Sequence, residues 1–259
     1  MAAAEGLPRP EVPLVDVAAR LAFISHSHVD RSIANELKGL LRPLGLTGFV
    51  AHEDIEPNAE WRVEILRNLR SCHGLVVIAT DDARTSFWVN QEIGAAVVRG
   101  VGTVTVNCGA APFGFVDSFQ AARWTPKAAP GDPWRDRNFL EGNLPVLCHA
   151  LKRAGVVTQG HLIEGLGDAW SFEEARVVAK LIAESGSLEM PEAVRLAQLI
   201  DVTSTIRSCW EAQRLLPQLL RPHVNFIPPD LVERLSRGPF ALHEPETEGP
   251  GSEPDVTAP

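Results

Sequence analysis

The sequence predicts an α/β fold, a parallel sheet flanked by helices, followed by a small all-α domain. Three observations carry this reading. Gly74-Leu-Val-Val-Ile-Ala-Thr80 is a continuous apolar run, as a parallel strand requires when both of its faces are covered. Short strand-like runs alternate with helix-period segments across the first half, and short connections between them imply parallel pairing through crossovers. After about residue 130 the strand-like runs cease and helical periodicity alone remains.

Residues 1–15 are rich in Pro and Ala and read as a disordered N-terminus. Residues 21–25 form a short apolar run that fits a buried strand. Asp30 is placed to cap a helix carrying Ile33, Leu37, Leu40 and Leu41, which Pro43 and Gly45 stop. A second strand over 47–51 leads through a polar loop, 52–60, into a helix with Trp61, Ile65, Leu66 and Leu69 facing inward. After the 74–80 strand, residues 81–85 read as a loop. Ser86 caps the next helix, which ends before Gly100. Residues 103–107 are a fourth strand.

Pro130-Gly-Asp-Pro133 reads as a linker, which sets a first domain at 16–130 and a helical domain at 131–238. Residues 143–153 read as a helix, with membership of the first domain left open. Ser171-Phe-Glu-Glu174 has the form of a capping box opening a helix to about residue 185. Pro191 starts another, with Val194, Leu196, Leu199 and Ile200. A third spans 205–220, with Ile206, Trp210, Leu215 and Leu219, and Asp230 caps a last one that stops at Gly238. Their apolar faces pack most simply as a bundle, with a role in sensing or oligomerisation, and so a protein or signal partner, as the functional reading. Residues 239–259 carry Glu244, Glu246, Glu248, Glu253 and Asp255 without Lys or Arg, and read as a disordered acidic tail.

Bulk properties exclude several classes. The chain has 259 residues and a formal net charge of −9, which argues against a broad nucleic-acid surface. Its cysteines, Cys72, Cys108, Cys148 and Cys209, are far apart and read as reduced, mostly buried thiols. The N-terminus lacks a cationic start and an apolar core, and no apolar run approaches a membrane span. The expectation is a cytoplasmic protein without a membrane partner.

The chemistry concentrates in Ser86-Phe-Trp-Val-Asn-Gln-Glu92. Trp88 and Glu92 stand four residues apart in a helical segment and project about one turn from each other. An indole beside a carboxylate offers a stacking surface and a negative charge to a flat cationic group. The bland reading is a half-buried Trp and a solvated Glu. His26 and His28, with His52 or His73, have spacing too unspecific to define a metal site, so no metal is expected. Gly-rich phosphate loops of the G-x-G-x-x-G and P-loop kinds are absent, so no tightly held redox cofactor is expected.

Three pieces in order resemble a bacterial Toll/interleukin-1 receptor (TIR) domain. Phe23-Ile-Ser-His-Ser-His-Val-Asp30 resembles the family's first strand and following loop. Phe49-Val-Ala-His-Glu-Asp-Ile-Glu-Pro-Asn-Ala-Glu-Trp61 resembles its second strand and long BB loop. Ser86 to Glu92 resembles the helix holding the glutamate of the NAD-cleaving members. The resemblance covers roughly the first 125 residues. It implies a flavodoxin-like sheet whose ligand lies beyond the carboxyl ends of the strands. It also implies a catalytic Glu92, with Phe23, Ser25, His26 and Trp88 binding NAD+ as substrate, and self-association through Asp54, Ile55, Glu56, Pro57 and Trp61. The implied activity is cleavage of the nicotinamide–ribose bond in assembly-dependent bacterial immune signalling. The alternative is a non-catalytic scaffold. Ala51 and Pro57-Asn58 stand where animal and plant members commonly carry Asp and Gly, a departure that bears on assembly geometry.

Overall fold

The computed structural model describes residues 20–51 and 61–242. Five strands, β1 (Arg20–Ser25), β2 (Leu46–Phe49), β3 (Gly74–Ala79), β4 (Gly102–Asn107) and β5 (Ala122–Arg123), form one sheet in the order β2-β1-β3-β4-β5. All four pairings are parallel. This order places the reversal of strand progression between β1 and β3, where open α/β sheets hold ligands beyond the strand ends. The fold class is the one predicted.

Strand periodicity divides the core. Ala22, Ile24, Val76, Ile78, Val104 and Val106 face α1 (Arg31–Leu41) and, further along the chain, α5 (Arg135–Arg153). The alternate residues Phe23, Leu75, Val77 and Ala79 face α2 (Trp61–Ser71) and α4 (Phe87–Val98). The short α3 (Asp81–Thr85) joins β3 to α4. Residues 81–85, read from sequence as a loop, are therefore helical. Thr80 Oγ1 accepts from the Ala83 N–H at 3.0 Å, and Asp81 and Asp82 supply the negative charge that a first helical turn favours.

The helical half comprises α6 (Gln159–Gly167), α7 (Phe172–Glu184), α8 (Met190–Val202), α9 (Ser204–Arg207), α10 (Trp210–Leu220) and α11 (Pro229–Ser236). Its buried residues run without a break into the core on the α1/α5 side of the sheet. The join is close at the turn after α1. Gly45, at φ 72°, approaches the His161 backbone so nearly that a Cβ would collide with its carbonyl, and Gly165 meets Pro43 in the same way. Arg42 fastens the turn. It donates to the Asp168 carbonyl and to both Glu174 carboxylate oxygens, at 2.7 and 2.6 Å, and its guanidinium lies 3.8 Å over the Trp170 ring.

Several local expectations differ from the structure. Leu66 is half-exposed, because α2 buries Ile65 and Leu69 four residues apart and turns Leu66 away. Asp30 holds the N-cap position of α1 without capping it; its carboxylate accepts from Ser27 and Thr80 instead. Ser171 caps α7, but the reciprocal half of the box is missing, since Glu174 takes the Trp170 N–H and the Arg42 guanidinium. The helix expected over 143–153 begins at Arg135. The one expected over 205–220 is interrupted at Ser208 and Cys209, and Trp210 is exposed. Pro228 precedes α11, and Asp230 pairs with Arg234 within it. The helix α6 and the strand β5 had no sequence counterpart. The cysteines are free thiols, three of them buried. Among the described residues no helix is long and apolar enough to cross a membrane. The expected termini, over 1–15 and most of 239–259, lie outside the described residues.

Candidate active site

The stripe of α4 that packs on the sheet reads Val89, Glu92, Ile93 and Ala96. Glu92 is thus a carboxylate at a core position, 7% exposed. The parity of β1 supplies its partner. Phe23 and Ser25 point to the α4 side; Phe23 sits deep, against Phe49 at 5.2 Å, and Ser25 lies one step nearer the strand's carboxyl end. Ser25 Oγ donates to Glu92 Oε2 at 2.6 Å. Among the described residues no cation pairs with Glu92. Burial pushes its carboxyl up to about 7, and the Ser25 hydroxyl opposes that shift.

Glu92 opens onto a cavity of about 460 Å³ whose walls include Trp61, Trp88, His26, His28 and Ile65. Trp61 and Trp88 meet edge to face, with ring centroids 4.8 Å apart, and both are partly exposed. The Arg62 guanidinium lies 5.4 Å from the Trp61 centroid and 5.8 Å from that of Trp88. His26 Nδ1 is 3.1 Å from the Ile24 carbonyl, which can only accept, so that nitrogen carries the proton. Behind the cavity, Asp30 Oδ2 accepts from Ser27 Oγ at 2.5 Å and from Thr80 Oγ1 at 2.6 Å, tying the loop after β1 to the end of β3.

The structure therefore brings Glu92, Trp88, Ser25 and His26 to one place. Phe23 does not reach the cavity: it is wholly buried in the core beneath, because its side of β1 is closed by α2 and α4. Trp61, read with the BB loop, also forms a cavity wall. His28, weighed from sequence only as a metal ligand, and Ile65, read only as an inward helix residue, also border the cavity. Asp54, Ile55, Glu56 and Pro57 lie outside the described residues. His73 is at the opposite edge of the sheet, with Nδ1 accepting from the Leu21 N–H at 3.3 Å, far from His26. Among the described residues no three metal-donor side chains gather.

Chemically, the site can place a buried carboxylate against a positively charged ligand between aromatic walls. Its position is the switch point of a doubly wound parallel sheet, which defines an α/β protein with a ligand cleft at its carboxyl edge. Residues 22–135 match the family model described as TIR domain, and this part of the chain is a TIR domain. A solved structure with some likeness is the TIR domain of the Toll-related receptor TRR-2 from the lower metazoan Hydra magnipapillata. Its sequence is 15% identical, the match covers 46% of this chain and 94% of that one, and the TM-score is 0.36. No curated protein matches the chain.

Proposed function

We propose that this protein cleaves the nicotinamide–ribose bond of NAD+. TIR domains include NAD-cleaving enzymes and non-catalytic signalling modules, and the observation that favours the enzyme is Glu92. A helix carboxylate with a structural role ordinarily faces water or a cation. This one is buried, faces a cavity, is held by a serine hydroxyl and has no cationic partner among the described residues.

The geometry suits the reaction. Nicotinamide in NAD+ carries its positive charge on the ring nitrogen bonded to ribose and leaves neutral, so its departure needs no general acid. Ordinary glycosidases pair two carboxyl groups; here one suffices. As the C–N bond breaks, its electron pair goes to the nicotinamide nitrogen and positive charge develops on the ribose. The Glu92 carboxylate, desolvated and fixed by Ser25, stabilises that charge more strongly than water would. Trp88 and Trp61 wall the nicotinamide, and the Arg62 guanidinium stands beside both rings. Water then attacks the sugar cation and loses a proton, giving ADP-ribose. Attack by the substrate's own adenine gives a cyclic ADP-ribose.

A cavity of about 460 Å³ holds the nicotinamide–ribose half of the dinucleotide and leaves the adenosine half outside. A second copy of the chain packed at this edge would enclose the rest, which makes activity dependent on protein concentration. The role is assembly-dependent signalling, in the bacterial immune setting that the family resemblance implies. The second reading, a scaffold acting only by contact, is favoured by the outward apolar residues Phe87, Val98 and Phe115 on and beside α4. Nicotinamide release at high protein concentration, comparing wild type with Glu92→Ala, decides between them. Release by wild type and none by the variant supports the enzyme; no release by wild type leaves the scaffold, and equal release by both removes Glu92 from the chemistry.

A further inference from the structure

A second cavity, of about 930 Å³, opens beyond the carboxyl ends of β4 and β5 and shares no residue with the Glu92 cavity. It lies on the α1/α5 side, between Glu36 of α1 and the segment that runs from β5 into α5. That segment supplies Arg123, Lys127 and Arg135, together with the half-buried ring of Trp124. Their charges are unequally matched. Lys127 Nζ is 3.4 Å from Asp136 Oδ1 and 4.9 Å from the Phe139 ring centroid. Neither Arg123 nor Arg135 has a carboxylate partner among the described residues, and Arg135 keeps its Nε out of water without an acceptor. A buried guanidinium nitrogen left in that state costs free energy, which an anionic ligand would recover.

The backbone that carries Arg123, Trp124 and Lys127 is also held in place. Asn143, buried inside α5, clamps the Thr125 backbone: its Oδ1 accepts from the Thr125 N–H and its Nδ2 donates to the Thr125 carbonyl, both at 2.8 Å. The clamp sits two residues after Arg123 and two before Lys127. Gly142 allows the approach, since a Cβ there would press on the Thr125 side chain. Trp124 is fixed edge to face on Phe139 with centroids 5.4 Å apart. Two guanidinium groups without carboxylate partners among the described residues thus project from a fixed backbone beside an aromatic wall and a small-molecule volume.

The geometry points to a second ligand site, one that binds a phosphorylated small molecule with a planar ring, a nucleotide, apart from the Glu92 cavity. A carboxylate is satisfied by one guanidinium fork, whereas the terminal oxygens of a phosphate can accept from two. The ring has Trp124 to lie against, and Glu36 on the facing helix can accept from base or ribose donors. Arg135 opens α5, so the occupant is read by the first turn of the helix that links the TIR domain to the helical half.

The test is calorimetric titration of the full chain with adenosine 5′-monophosphate, inorganic pyrophosphate and adenosine. Wild type, Glu92→Gln, Arg123→Ala, and Arg123→Ala combined with Arg135→Ala are compared, with folding checked by circular dichroism. The expected result is binding of the monophosphate by wild type and Glu92→Gln alike, weakened with rising salt and at least about tenfold in the double variant. Pyrophosphate binds more weakly, and adenosine weakest. Arg123→Ala, at an exposed position, gives a partial loss and covers the case in which the double variant does not fold. Unchanged binding in folded Arg123→Ala and in the double variant overturns the site, as does binding lost only in Glu92→Gln, or none by wild type at millimolar nucleotide. Nicotinamide release is a separate readout, so failure here and failure of the Glu92 chemistry are distinguishable.

Discussion

Ser25 Oγ donates a 2.6 Å hydrogen bond to Glu92 Oε2, joining the end of β1 to the buried stripe of α4 across 67 residues of sequence. That single donor stands against the desolvation of a carboxyl group and does not outweigh it, since the carboxyl titrates near 7. A folded-state value raised from 4.5 means that the native protein holds its proton more tightly than the unfolded chain. Glu92 therefore contributes nothing adverse below about pH 4.5, and destabilises the fold progressively as pH rises from there to about 7. Glu92→Gln removes the ionisation and keeps the shape. By chemical denaturation it should match wild type near pH 4 and exceed it by about 3 kcal/mol at pH 8. A constant difference across that range would sink the account of a strained, uncompensated carboxylate.

Ser25→Ala should act on the same carboxyl in the opposite sense. With the donor gone, the opposition to burial goes too, and the carboxyl is pushed further up. The proposed cleavage requires the ionised carboxylate, so kcat/KM for NAD+ should rise with pH through about 7 in wild type and through a higher pH in the variant. At pH 7 the variant should be about tenfold slower, recovering toward wild type in alkali. An unshifted profile with a uniform loss would assign Ser25 to packing alone.

How far the site could be read from sequence follows from what each residue's neighbours are. Glu92 was legible because it stands one helical turn from Trp88 within a TIR-like stretch; that it interrupts the buried stripe of Val89, Ile93 and Ala96 is visible only in the fold. Ser25 could be tied to it only through the parity of β1 and the β2-β1-β3 order, which are properties of the sheet. Phe23 shares that parity and looked equivalent; one step down the strand, it is closed off by α2 and α4. Trp61 was hidden for another reason: it ends a loop motif and begins a helix, and sequence read it as an assembly residue and an inward helix residue, while a cavity wall is neither. In the helical half, Gly160, Gly165 and Gly167 dilute the apolar pattern of α6, so its periodicity failed to register. The tight docking against Pro43 and Leu199 is what those positions serve at Gly165 and Gly167. Nothing at Ser208 and Cys209 announces the break before α10, because neither Gly nor Pro marks it.

The Trp61–Trp88 pair makes a cleaner test of substrate contact, since both rings are 43% exposed and bear little of the core. Trp88→Ala should raise KM for NAD+ about tenfold, roughly the 1–2 kcal/mol of an aromatic wall, with much less effect on thermal stability. Trp61→Ala should do the same to a lesser degree, and the double variant should lose less than the sum, because the rings support each other. Additive losses confined to stability would place both side chains in packing and leave the cavity without an aromatic role.

The chain is exposed over residues 129–134, so a protease site placed there should be cut readily. The cut ends should nevertheless stay together. Ala22, Ile24, Leu37, Leu40 and Leu41 on one side of the cut share a core with Leu144, Leu147, Leu151, Leu162 and Leu166 on the other, and Arg42 holds Glu174 across the join. After cleavage the fragments should co-elute in gel filtration, while a chain ending at residue 134 should aggregate, because the α1 side of its sheet loses its apolar cover. Gly165→Ala, which drives a methyl group into the Pro43 carbonyl, should loosen the same join at a cost of about 1–3 kcal/mol and make the cut fragments separable. A soluble, cooperatively melting fragment of residues 1–134 would mean that the TIR domain folds on its own and that the helical half is docked rather than built in.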